Sequence, residues 1–477
     1  MVDARPMRIG ADRISADATG GNVIEVRSPY DDRVLATVPK ATTEHIDAAV
    51  EVARRRYEEG PLPVHQRAEI LETAARLLRE RQEQFARLIS DEAAKPIKTA
   101  RAEASRAVDT FVFSAAVART ATSDVVPLDA SSAGTGKLGF VLRVPIGVVG
   151  AITPFNFPLN LVCHKVAPAI AAGCPVVLKP ASATPLSALA LADLLLDECG
   201  LPEGWLNVVT APGSAASRLA EHPDVAMITF TGSSDVGWGI RAAAPKKKVS
   251  LELGNNAPVV IEADGDWRAA ASKIKVAGYA HAGQSCISTQ RVYVQRSIAD
   301  DFVAELVTQV ESLVVGDPAD DRTDVSALID PGESERVKSW IDDAVAAGAR
   351  VATGGRVEGR LLLPTVLTDV TPDMKVCAHE VFGPVVAVQV YDDYADALRL
   401  ADDSAYGLQA AVFTRDIGKA LAAARSLHYG GVLVNEVPTW RADHMPYGGT
   451  RDSGNTREGP AYAVREMTEE RLVVIQA

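Results

Sequence analysis

The spacing of hydrophobic and polar residues changes from a strand-like to a helix-like pattern within the first 120 residues. Apolar and polar positions alternate over residues 22–40 around turn-forming residues, which predicts a β-hairpin. From Thr42 the apolar residues recur at helical spacing, and helical patterning returns over residues 65–90 and 96–120. The first quarter of the chain is therefore predicted to be a hairpin followed by amphipathic helices.

Short apolar strands alternate with helices between residues 148 and 230. This rhythm is typical of βαβ units, whose strands lie parallel in one sheet. A similar alternation resumes after residue 255 and continues to about residue 435, which favours a second α/β domain. In the first series the predicted strands are 148–152, 176–178, 206–209 and 227–230, and the predicted helices are 167–172, 187–199 and 215–221.

Residues 124–144 break this rhythm with two further strand patterns joined by a Ser- and Gly-rich turn. The turn contains residues 134–139, which match the dinucleotide-binding pattern G-x-G-x-x-G literally. That pattern needs a strand before it and a helix after it, so that the phosphates meet a helix N-terminus. Here a strand pattern and Pro145 follow. We therefore interpret these glycines as a flexible hairpin turn.

The composition is that of an ordinary globular protein. The 477 residues are 47% hydrophobic and 23% charged, and this length predicts two or three sub-domains. The net charge of −13 would repel phosphate backbones, so nucleic-acid binding is not expected as the main activity. Five cysteines, an odd number, fit a reducing compartment rather than a disulfide framework, and a cytoplasmic location is expected.

Two features could suggest a membrane protein or a metalloenzyme, and the sequence argues against both. The uncharged stretch between Arg143 and His164 is long enough to span a bilayer, but its prolines, glycines and asparagines would break a spanning helix. His379 and Glu380 lack the second histidine of a zinc-protease pair, since position 383 is glycine. Neither a targeting segment, a membrane span nor a metal site is expected.

Polar residues near predicted strand ends mark the candidate site. Lys179 follows a buried strand, at the edge where ligands bind in open α/β sheets, and Ser233 opens a helix whose amides could hold a phosphate. Taken singly, these two also fit a solvent-facing side chain and a plain turn. Glu252, between two leucines, is either turned to solvent or desolvated enough to act as a general base. Cys286 lies in a small, polar segment that suits a reactive thiolate, whereas the other four cysteines suit core packing.

Together these residues resemble the motifs of the aldehyde dehydrogenase superfamily along nearly the whole chain. Several separate motifs agree in type, order and spacing. The resemblance implies an α/β fold with two open domains, a Rossmann-like cofactor domain and a catalytic domain, plus a β-hairpin for oligomerisation. The motifs are Thr153-Pro154-Phe155-Asn156-Phe157-Pro158-Leu159, Lys179-Pro180-Ala181, Phe230-Thr231-Gly232-Ser233, Glu252-Leu253-Gly254, Gly283-Gln284-x-Cys286, Glu380-x-Phe382-Gly383-Pro384, Pro446-Tyr447-Gly448-Gly449, Ser453-Gly454 and Arg457-Glu458-Gly459.

The resemblance implies a thiol mechanism. Cys286 would attack the aldehyde carbonyl to give a thiohemiacetal, whose oxyanion would be held by the Asn156 side chain and the Cys286 backbone N–H. Hydride transfer to a nicotinamide would leave a thioester, and Glu252 would activate the water that hydrolyses it to a carboxylic acid. Lys165 matches a family lysine near that base and is expected to relay protons.

The same resemblance implies the contacts of the nicotinamide cofactor. Ser233 would contact the pyrophosphate and Lys179 the adenosine ribose. Glu380 would contact the nicotinamide ribose and Phe382 the nicotinamide ring. The remaining expected contacts are Ile152, Thr153, Pro154, Phe155, Ser182, Phe230, Thr231, Gly232, Val236 and Leu253.

The choice between NAD and NADP is predicted from one position. NAD-preferring relatives often carry a glutamate three residues after the lysine that corresponds to Lys179. This chain has Ser182 there, which removes a negative charge that would repel a 2′-phosphate. NADP, or the use of both NADP and NAD, is therefore expected.

The resemblance also bears on the substrate. Relatives that act on phosphate-bearing aldehydes often have arginine before the nucleophile, where this chain has Ser285, so such a substrate is not favoured. Arg106, Phe157 and Arg441 fall in segments that border the family's substrate funnel, although the two arginines could equally form surface or interface salt bridges. The run 434–441 looks like the branch that includes lactaldehyde dehydrogenases. A small hydroxylated or acidic aldehyde is expected.

The resemblance further implies how the chain is divided. Residues 1–122 and 146–252 would form the cofactor-binding domain, and residues 253–443 the catalytic domain. The hairpin 123–145 and the C-terminal segment 444–477 would protrude as an oligomerisation element. Because exposed strand edges favour pairing, a homodimer or homotetramer is expected.

The sequence alone leaves two other functions open. A CoA-acylating dehydrogenase would use a thiol in place of water, but that branch does not need the base that Glu252 would provide. A structural or binding protein on the same fold would not need Cys286, Glu252 and Asn156 together. Both alternatives are therefore less favoured than a hydrolytic aldehyde dehydrogenase.

Overall fold

The computed structural model describes residues 3–476. Helices and strands alternate along most of the chain. The strands are β1 Asp3–Ala4, β2 Met7–Ile9, β3 Asp12–Ile14, β4 Val23–Arg27, β5 Val34–Pro39, β6 Val125–Val126, β7 Lys137–Pro145, β8 Val148–Ile152, β9 Val176–Lys179, β10 Leu206–Val208, β11 Val225–Thr231, β12 Lys248–Glu252, β13 Ala257–Ile261, β14 Thr289–Gln295, β15 Arg350–Thr353, β16 Val357–Glu358, β17 Leu361–Leu362, β18 Thr365–Thr368, β19 Val385–Tyr391, β20 Gln409–Phe413, β21 Gly431–Val434 and β22 Thr468–Gln476.

The helices connect these strands and cover their faces. They are α1 Thr43–Glu58, α2 Val64–Glu80, α3 Gln82–Ala93, α4 Ile97–Thr120, α5 Asn160–Ala172, α6 Leu186–Asp193, α7 Ala216–Glu221, α8 Ser234–Ala243, α9 Trp267–Tyr279, α10 Ala299–Glu311, α11 Pro331–Ala346, α12 Lys375–Ala378, α13 Tyr394–Asp402, α14 Ile417–Ser426 and α15 Pro460–Glu466. Within residues 3–476, no helix is long and apolar enough to cross a membrane.

Three predicted helices have different bounds from those that the pattern indicates. The single helix predicted over residues 65–90 is two helices, because Arg81 (φ −109°, ψ 18°) leaves helical geometry. The helix predicted at 167–172 begins at Asn160, since all its residues are buried and no amphipathic stripe marks its first turns. The helix predicted over 187–199 ends in a π-helical turn from Leu194 to Glu198.

The first large sheet has seven strands in the order β12-β11-β8-β9-β10-β2-β3. Strands β8 to β12 run parallel, as the strand–helix rhythm predicts, and β2 joins β10 antiparallel. Both faces of this sheet are covered by apolar cores. Val176 and Leu178 point into one core and Val177 into the other, as strand geometry requires.

The parallel register brings the carboxyl ends of four strands to one edge. Ile152 at the end of β8 pairs with Phe230 in β11 and with Lys179 in β9. Thr231 at the end of β11 pairs with Glu252 at the end of β12. Side chains that follow these strands therefore lie side by side, at the edge where ligands bind in open α/β sheets.

A second seven-stranded sheet has the order β15-β18-β19-β14-β13-β20-β21. Its strands are parallel except for β15, which pairs antiparallel with β18. This sheet has its own apolar cores on its two faces, with Val259 in one and Val260 in the other. The second α/β unit predicted after residue 255 is therefore present.

A third sheet joins the hairpin to the C-terminal strand in the order β22-β7-β6. All its pairs are antiparallel, and β22 pairs with β7 from Thr468 to Gln476. The glycines of 134–139 lie in the turn before β7 and at its start, so the interpretation of the literal G-x-G-x-x-G match as a hairpin turn is confirmed. The sheet exposes several large apolar side chains, which are Val125, Leu138, Leu142, Leu472, Val474 and Ile475.

Candidate active site

A cavity of about 510 Å³ opens at the carboxyl edge of the first sheet. The segments that follow β8, β11 and β12 form one wall, and segments after α9 and α12 contribute others. Asn156 and Cys286 line this cavity. So do eight of the residues predicted to contact the cofactor, which are Pro154, Phe155, Thr231, Gly232, Ser233, Leu253, Glu380 and Phe382.

The other six predicted cofactor contacts do not line this cavity. Lys179 ends β9 and donates to the Pro180 carbonyl oxygen over 3.2 Å, and its burial lowers the pKa of the ammonium to about 8. The Ser182 hydroxyl donates to the Ala211 carbonyl oxygen over 3.1 Å. Ile152, Thr153 and Phe230 are buried at the strand ends, and Val236 is exposed on α8.

Glu380 is a buried carboxylate on the cavity wall. Its Oε1 accepts a hydrogen bond from the Asn255 backbone N–H over 2.9 Å. Burial raises the pKa of this carboxyl to about 7. A Cβ on Gly254 would collide with the Glu380 carboxylate, so glycine there lets the carboxylate approach the strand end this closely.

Two phenylalanine rings pack against each other on the cavity wall. Phe155 and Phe382 meet edge to face, with ring centroids 5.9 Å apart at 85°. Phe382 has a φ of 49°, in the left-handed region that an L side chain rarely adopts.

The nucleophile candidate lies on a tightly folded loop between α9 and β14. His281, Ala282 and Gly283 are consecutive residues with φ values of 51°, 53° and 74°. A Cβ on Gly283 would collide with the Gly383 backbone, so glycine is required where this loop meets the segment before β19. The loop thereby presents Cys286 to the cavity instead of to a core.

Cys286 lies between the large cavity and a smaller one of about 30 Å³. Burial raises the pKa of its thiol to about 12, and a hydrogen bond with the Tyr447 hydroxyl, 3.0 Å from Sγ, opposes that rise. The other four cysteines are buried, as predicted for core residues. The smaller cavity is also lined by Glu252 and by Arg106, Phe157 and Arg441, the three residues predicted to border the substrate.

Asn156 faces the nucleophile loop. Its Nδ2 donates one hydrogen bond to the Gln284 carbonyl oxygen over 2.9 Å, which leaves its second N–H available. Among residues 3–476 its buried Oδ1 has no hydrogen-bond partner. The amide therefore has one unused donor beside Cys286, as an oxyanion contact would need.

A buried ion pair holds the Asn156 segment in place. Lys95 pairs with Glu103, and both side chains are fully buried. The Lys95 ammonium also donates to the Asn156 carbonyl oxygen and lies 3.7 Å from the Phe157 ring centroid. Glu103 accepts from the backbone N–H groups of Leu159 and Asn160. This pair fixes the backbone on both sides of Phe157.

Glu252 is buried at the end of β12, so the desolvated alternative for this carboxylate is the observed one. In the described part of the chain neither carboxylate oxygen has a hydrogen-bond partner. Burial and the neighbouring Glu458 raise its pKa well above the usual range, while Arg441 and Lys165 oppose this. Lys165 donates to the Thr229 hydroxyl over 3.1 Å and lies 3.6 Å from Glu458. A base with no fixed partner can hold a water.

The two arginines form ion pairs and also line the small cavity. Arg106 binds Asp443 through two nitrogens, at 2.9 and 3.1 Å. The Arg441 side chain is buried, pairs with Glu458 over 2.9 Å and lies 3.8 Å from the Tyr447 ring centroid. Both arginines therefore form ion pairs, the second of the two alternatives that the sequence leaves open, and substrate contact stays a prediction at both positions.

Comparison with known proteins identifies the family. The model of the aldehyde dehydrogenase family matches residues 16–473. A 3-sulfolactaldehyde dehydrogenase from Priestia aryabhattai is 46% identical over 458 residues and is matched over 96% of both chains. The chain belongs to the aldehyde dehydrogenase family. As predicted, it is an NAD(P)-dependent oxidoreductase that acts on an aldehyde group.

Solved aldehyde dehydrogenases share the whole fold. Aldehyde dehydrogenase 21 from Physcomitrella patens, solved with the reaction product succinate, has a TM-score of 0.96 at 36% identity, covering 100% of this chain and 99% of that one. An NADP-dependent glyceraldehyde-3-phosphate dehydrogenase from Bacillus halodurans, solved with NADP, has a TM-score of 0.96 at 35% identity, covering 100% of both. The predicted fold class is confirmed.

The cavity of this aldehyde dehydrogenase fits a nicotinamide cofactor. The Thr231 hydroxyl is buried without a partner among the residues that the structure describes. A Cβ on Gly232 would lie 2.5 Å from the Phe230 ring, so the wall beside it admits only glycine. Unpaired polar atoms, glycine backbone and two aromatic rings along one wall suit phosphate, ribose and nicotinamide groups.

The sequence interpretation missed several residues of this site. Lys95 and Glu103 were not singled out, although Glu103 falls on the same helical stripe as the buried Ala100 and Ala107. A charge on an apolar stripe is the signal that could have found it. Asp443 also went unnoticed, because its partners Arg106 and His164 are distant in sequence.

Replacing Lys95 with Met should destabilise the aldehyde dehydrogenase strongly. The Glu103 carboxylate would then be buried without its cation, which costs about 3–5 kcal/mol. Adding Glu103→Gln should recover much of this loss, because a neutral amide can still accept from Leu159 and Asn160. Urea unfolding followed by tryptophan fluorescence measures the change.

Lys98→Met is the matched control for Lys95→Met. Lys98 pairs with Asp324 at the surface, where such a pair contributes at most about 1 kcal/mol. Equal losses of stability in the two single variants would contradict the importance of the buried pair.

Proposed function

We propose that this enzyme oxidises a small hydroxylated or acidic aldehyde to the carboxylic acid, with Cys286 as nucleophile and Glu252 as the hydrolytic base. One observation carries the proposal. Cys286 lies where a cofactor-sized cavity meets a small cavity that Glu252 and two arginines line. A thiol in that position can reach an aldehyde from one side while a cofactor occupies the other.

The first step would be attack of the Cys286 thiolate on the aldehyde carbon. The new S–C bond gives a thiohemiacetal, and the carbonyl oxygen gains negative charge. The unused N–H of the Asn156 amide and the Cys286 backbone N–H would stabilise that oxygen. Loss of one such donor typically lowers kcat ~10²–10³-fold.

NAD(P), when bound, supplies the acceptor for the hydride that leaves the thiohemiacetal carbon. Ser233, Thr231 and the glycine backbone at Gly232 would hold its phosphates. Glu380 would bind the nicotinamide ribose, and Phe382 with Phe155 would flank the ring. The work of these residues is to orient the cofactor and to exclude water.

Glu252 would accept a proton from the water that attacks the thioester. The water oxygen bonds to the acyl carbon, the C–S bond breaks, and Cys286 returns to the thiolate as the acid leaves. A raised pKa suits a carboxylate that must take up a proton and later release it. Lys165, next to Glu458, would pass that proton onward.

The substrate proposal rests on the small cavity and on relatives. Arg106 and Arg441 place cationic groups beside Phe157 along the small cavity that Cys286 also lines. The Priestia relative is named for a sulfonated lactaldehyde, and the Physcomitrella structure holds succinate. Both molecules carry an anionic group. An aldehyde with a hydroxyl or anionic substituent near its reacting carbon would satisfy these side chains.

For the cofactor we propose NADP, or use of both NADP and NAD. Ser182, the position on which this preference rests, carries no charge that would repel a 2′-phosphate. Lys179 beside it is cationic below its pKa of about 8 and could pair with that phosphate. The Bacillus halodurans structure holds NADP.

We further propose the domain division 1–122 with 146–252, 253–443, and 123–145 with 444–477. Two separate large sheets and the β22-β7-β6 sheet support it.

The exposed apolar residues on the β22-β7-β6 sheet support a homodimer or homotetramer, which light scattering would test. Five free cysteines support a reducing location such as the cytoplasm, which fractionation of cells would test.

The proposed substrate class predicts a ranking of aldehydes. Formation of reduced cofactor should be fastest with lactaldehyde, 3-sulfolactaldehyde, glycolaldehyde or succinate semialdehyde, and slowest with long alkanals, which carry no polar group for Arg106 and Arg441 to bind. Measurements with NADP and with NAD separately would also rank the cofactors.

Cys286→Ala should abolish turnover with every aldehyde, by on the order of 10⁴-fold or more.

Arg106→Gln separates an acidic from a merely hydroxylated substrate. If an anion is bound, the KM for succinate semialdehyde should rise ~10-fold or more while that for glycolaldehyde changes little. Turnover that survives in Cys286→Ala, or a preference for long alkanals, would overturn the proposal.

Glu252→Gln should separate acylation from hydrolysis. Because the amide cannot take up a proton from water, one equivalent of reduced cofactor should form rapidly per active site, followed by steady turnover at least ~10²-fold slower. Stopped-flow absorbance at the nicotinamide band measures both phases.

Glu203→Gln makes the same chemical change on the surface and should leave both phases unaltered. If the Glu252 variant retained full turnover, and the unmodified enzyme required CoA and released an acyl-CoA, the enzyme would instead be a CoA-acylating dehydrogenase.

A further inference from the structure

Within residues 3–476, the Cys286 side chain has one hydrogen-bond partner, the hydroxyl of Tyr447. The hydroxyl oxygen is 3.0 Å from the Cys286 Sγ. The Tyr447 residue is only 3% exposed. The aromatic ring lies on the wall of the small cavity with Cys286. The mechanism described above gives this hydroxyl no role, although it touches the reacting sulfur atom.

The position of the Tyr447 hydroxyl is fixed from several sides. The Tyr447 backbone N–H donates to the Glu458 carbonyl oxygen over 3.2 Å, in an antiparallel bridge between the two residues. The Arg441 guanidinium lies 3.8 Å from the centre of the Tyr447 ring and is itself held by Glu458. A Cβ on Gly448 would stand 2.7 Å from the Glu252 carboxylate. The segment is thus held between the nucleophile and the base.

The protonation states of Cys286 and Tyr447 decide whether the sulfur or the phenol oxygen is the hydrogen-bond donor. Burial opposes ionisation of the Cys286 thiol most strongly and the charges of Glu380 and Glu252 add to that, so the pKa is raised, while the Tyr447 hydroxyl and Arg441 favour the thiolate. The pKa of Tyr447 is raised well above its usual value by burial and by the thiol, so the phenol stays protonated. When Cys286 is a thiolate, the phenol O–H must therefore be the donor and sulfur the acceptor.

We propose that Tyr447 is a catalytic residue whose hydroxyl donates a hydrogen bond to the Cys286 thiolate, raising the fraction of reactive sulfur and aiming it at the aldehyde. The hydroxyl transfers no proton and forms no covalent bond. Arg441 stacks on the ring and strengthens the O–H as a donor by withdrawing charge from it. This inference rests on the proposed role of Cys286 as nucleophile.

The expected size of the effect follows from thiol chemistry. A hydrogen bond to a charged group shifts a pKa by about one to two units, so its loss lowers the thiolate fraction ~10–100-fold near neutral pH. A more basic thiolate is also more nucleophilic, which recovers ~3–10-fold of that loss. The net change expected on removing the hydroxyl is therefore a ~3–10-fold slower reaction of Cys286.

The test is alkylation of Cys286 by iodoacetamide in the full-length enzyme, without cofactor or aldehyde. Tyr447→Phe removes the oxygen and keeps the ring on which Arg441 stacks. The rate, followed by mass spectrometry of the Cys286 peptide from about pH 6 to 10, should fall ~3–10-fold at neutral pH. Tyr462→Phe, on a partly exposed tyrosine of α15, should leave the rate unchanged.

A second variant separates hydrogen bonding from packing. Placing 3-fluorotyrosine at position 447 makes the hydroxyl more acidic and a stronger donor, so Cys286 should react faster than in the unmodified enzyme. Tyr447→Phe reacting at the unmodified rate, or both variants reacting equally slowly, would overturn the proposal. Alkylation needs no turnover, so this result is independent of whether Cys286→Ala abolishes aldehyde oxidation.

Discussion

The parallel register of the first sheet is the constraint on which the site depends. Because Ile152 pairs with both Phe230 and Lys179, and Thr231 with Glu252, the strands end at one level. The segments that follow them can then form one continuous cavity wall. A shift of one residue would turn every side chain on a strand to the opposite face, so the buried apolar residues on both faces hold this register.

Buried charge is the second feature that shapes the site. Lys95 and Glu103 neutralise each other beneath the Asn156 segment, and Arg441 and Glu458 do so beside the small cavity. Glu252 alone among these buried groups has two oxygens without a hydrogen-bond partner in residues 3–476. The neighbouring ion pairs hold the surrounding backbone. The Glu252 carboxylate is therefore not needed for a structural hydrogen bond and stays available to bind a water.

The sequence predicted the elements best where one face of a helix or strand differs from the other. The hairpin of β4 and β5, the strands β8 to β11 and helix α4 follow their patterns closely. Prediction failed for the start of α5, because every face of this helix is buried and its apolar and polar residues do not alternate at helical spacing. It also failed at Arg81, because a single non-helical residue leaves the apolar spacing of the flanking helices almost unchanged.

By itself the sequence determined the α/β class, the motifs that identify an aldehyde dehydrogenase, and Cys286, Glu252 and Asn156 as candidates for its chemistry. These features depend on residue types and on short spacings along the chain, so they can be recognised from the linear sequence. Tertiary structure alone decided that Lys95 and Glu103 lie under Asn156, that Asp443 binds Arg106, and that the Tyr447 hydroxyl touches Cys286. Those contacts join residues from 8 to 337 positions apart, and only packing of separate elements brings such groups within hydrogen-bonding distance.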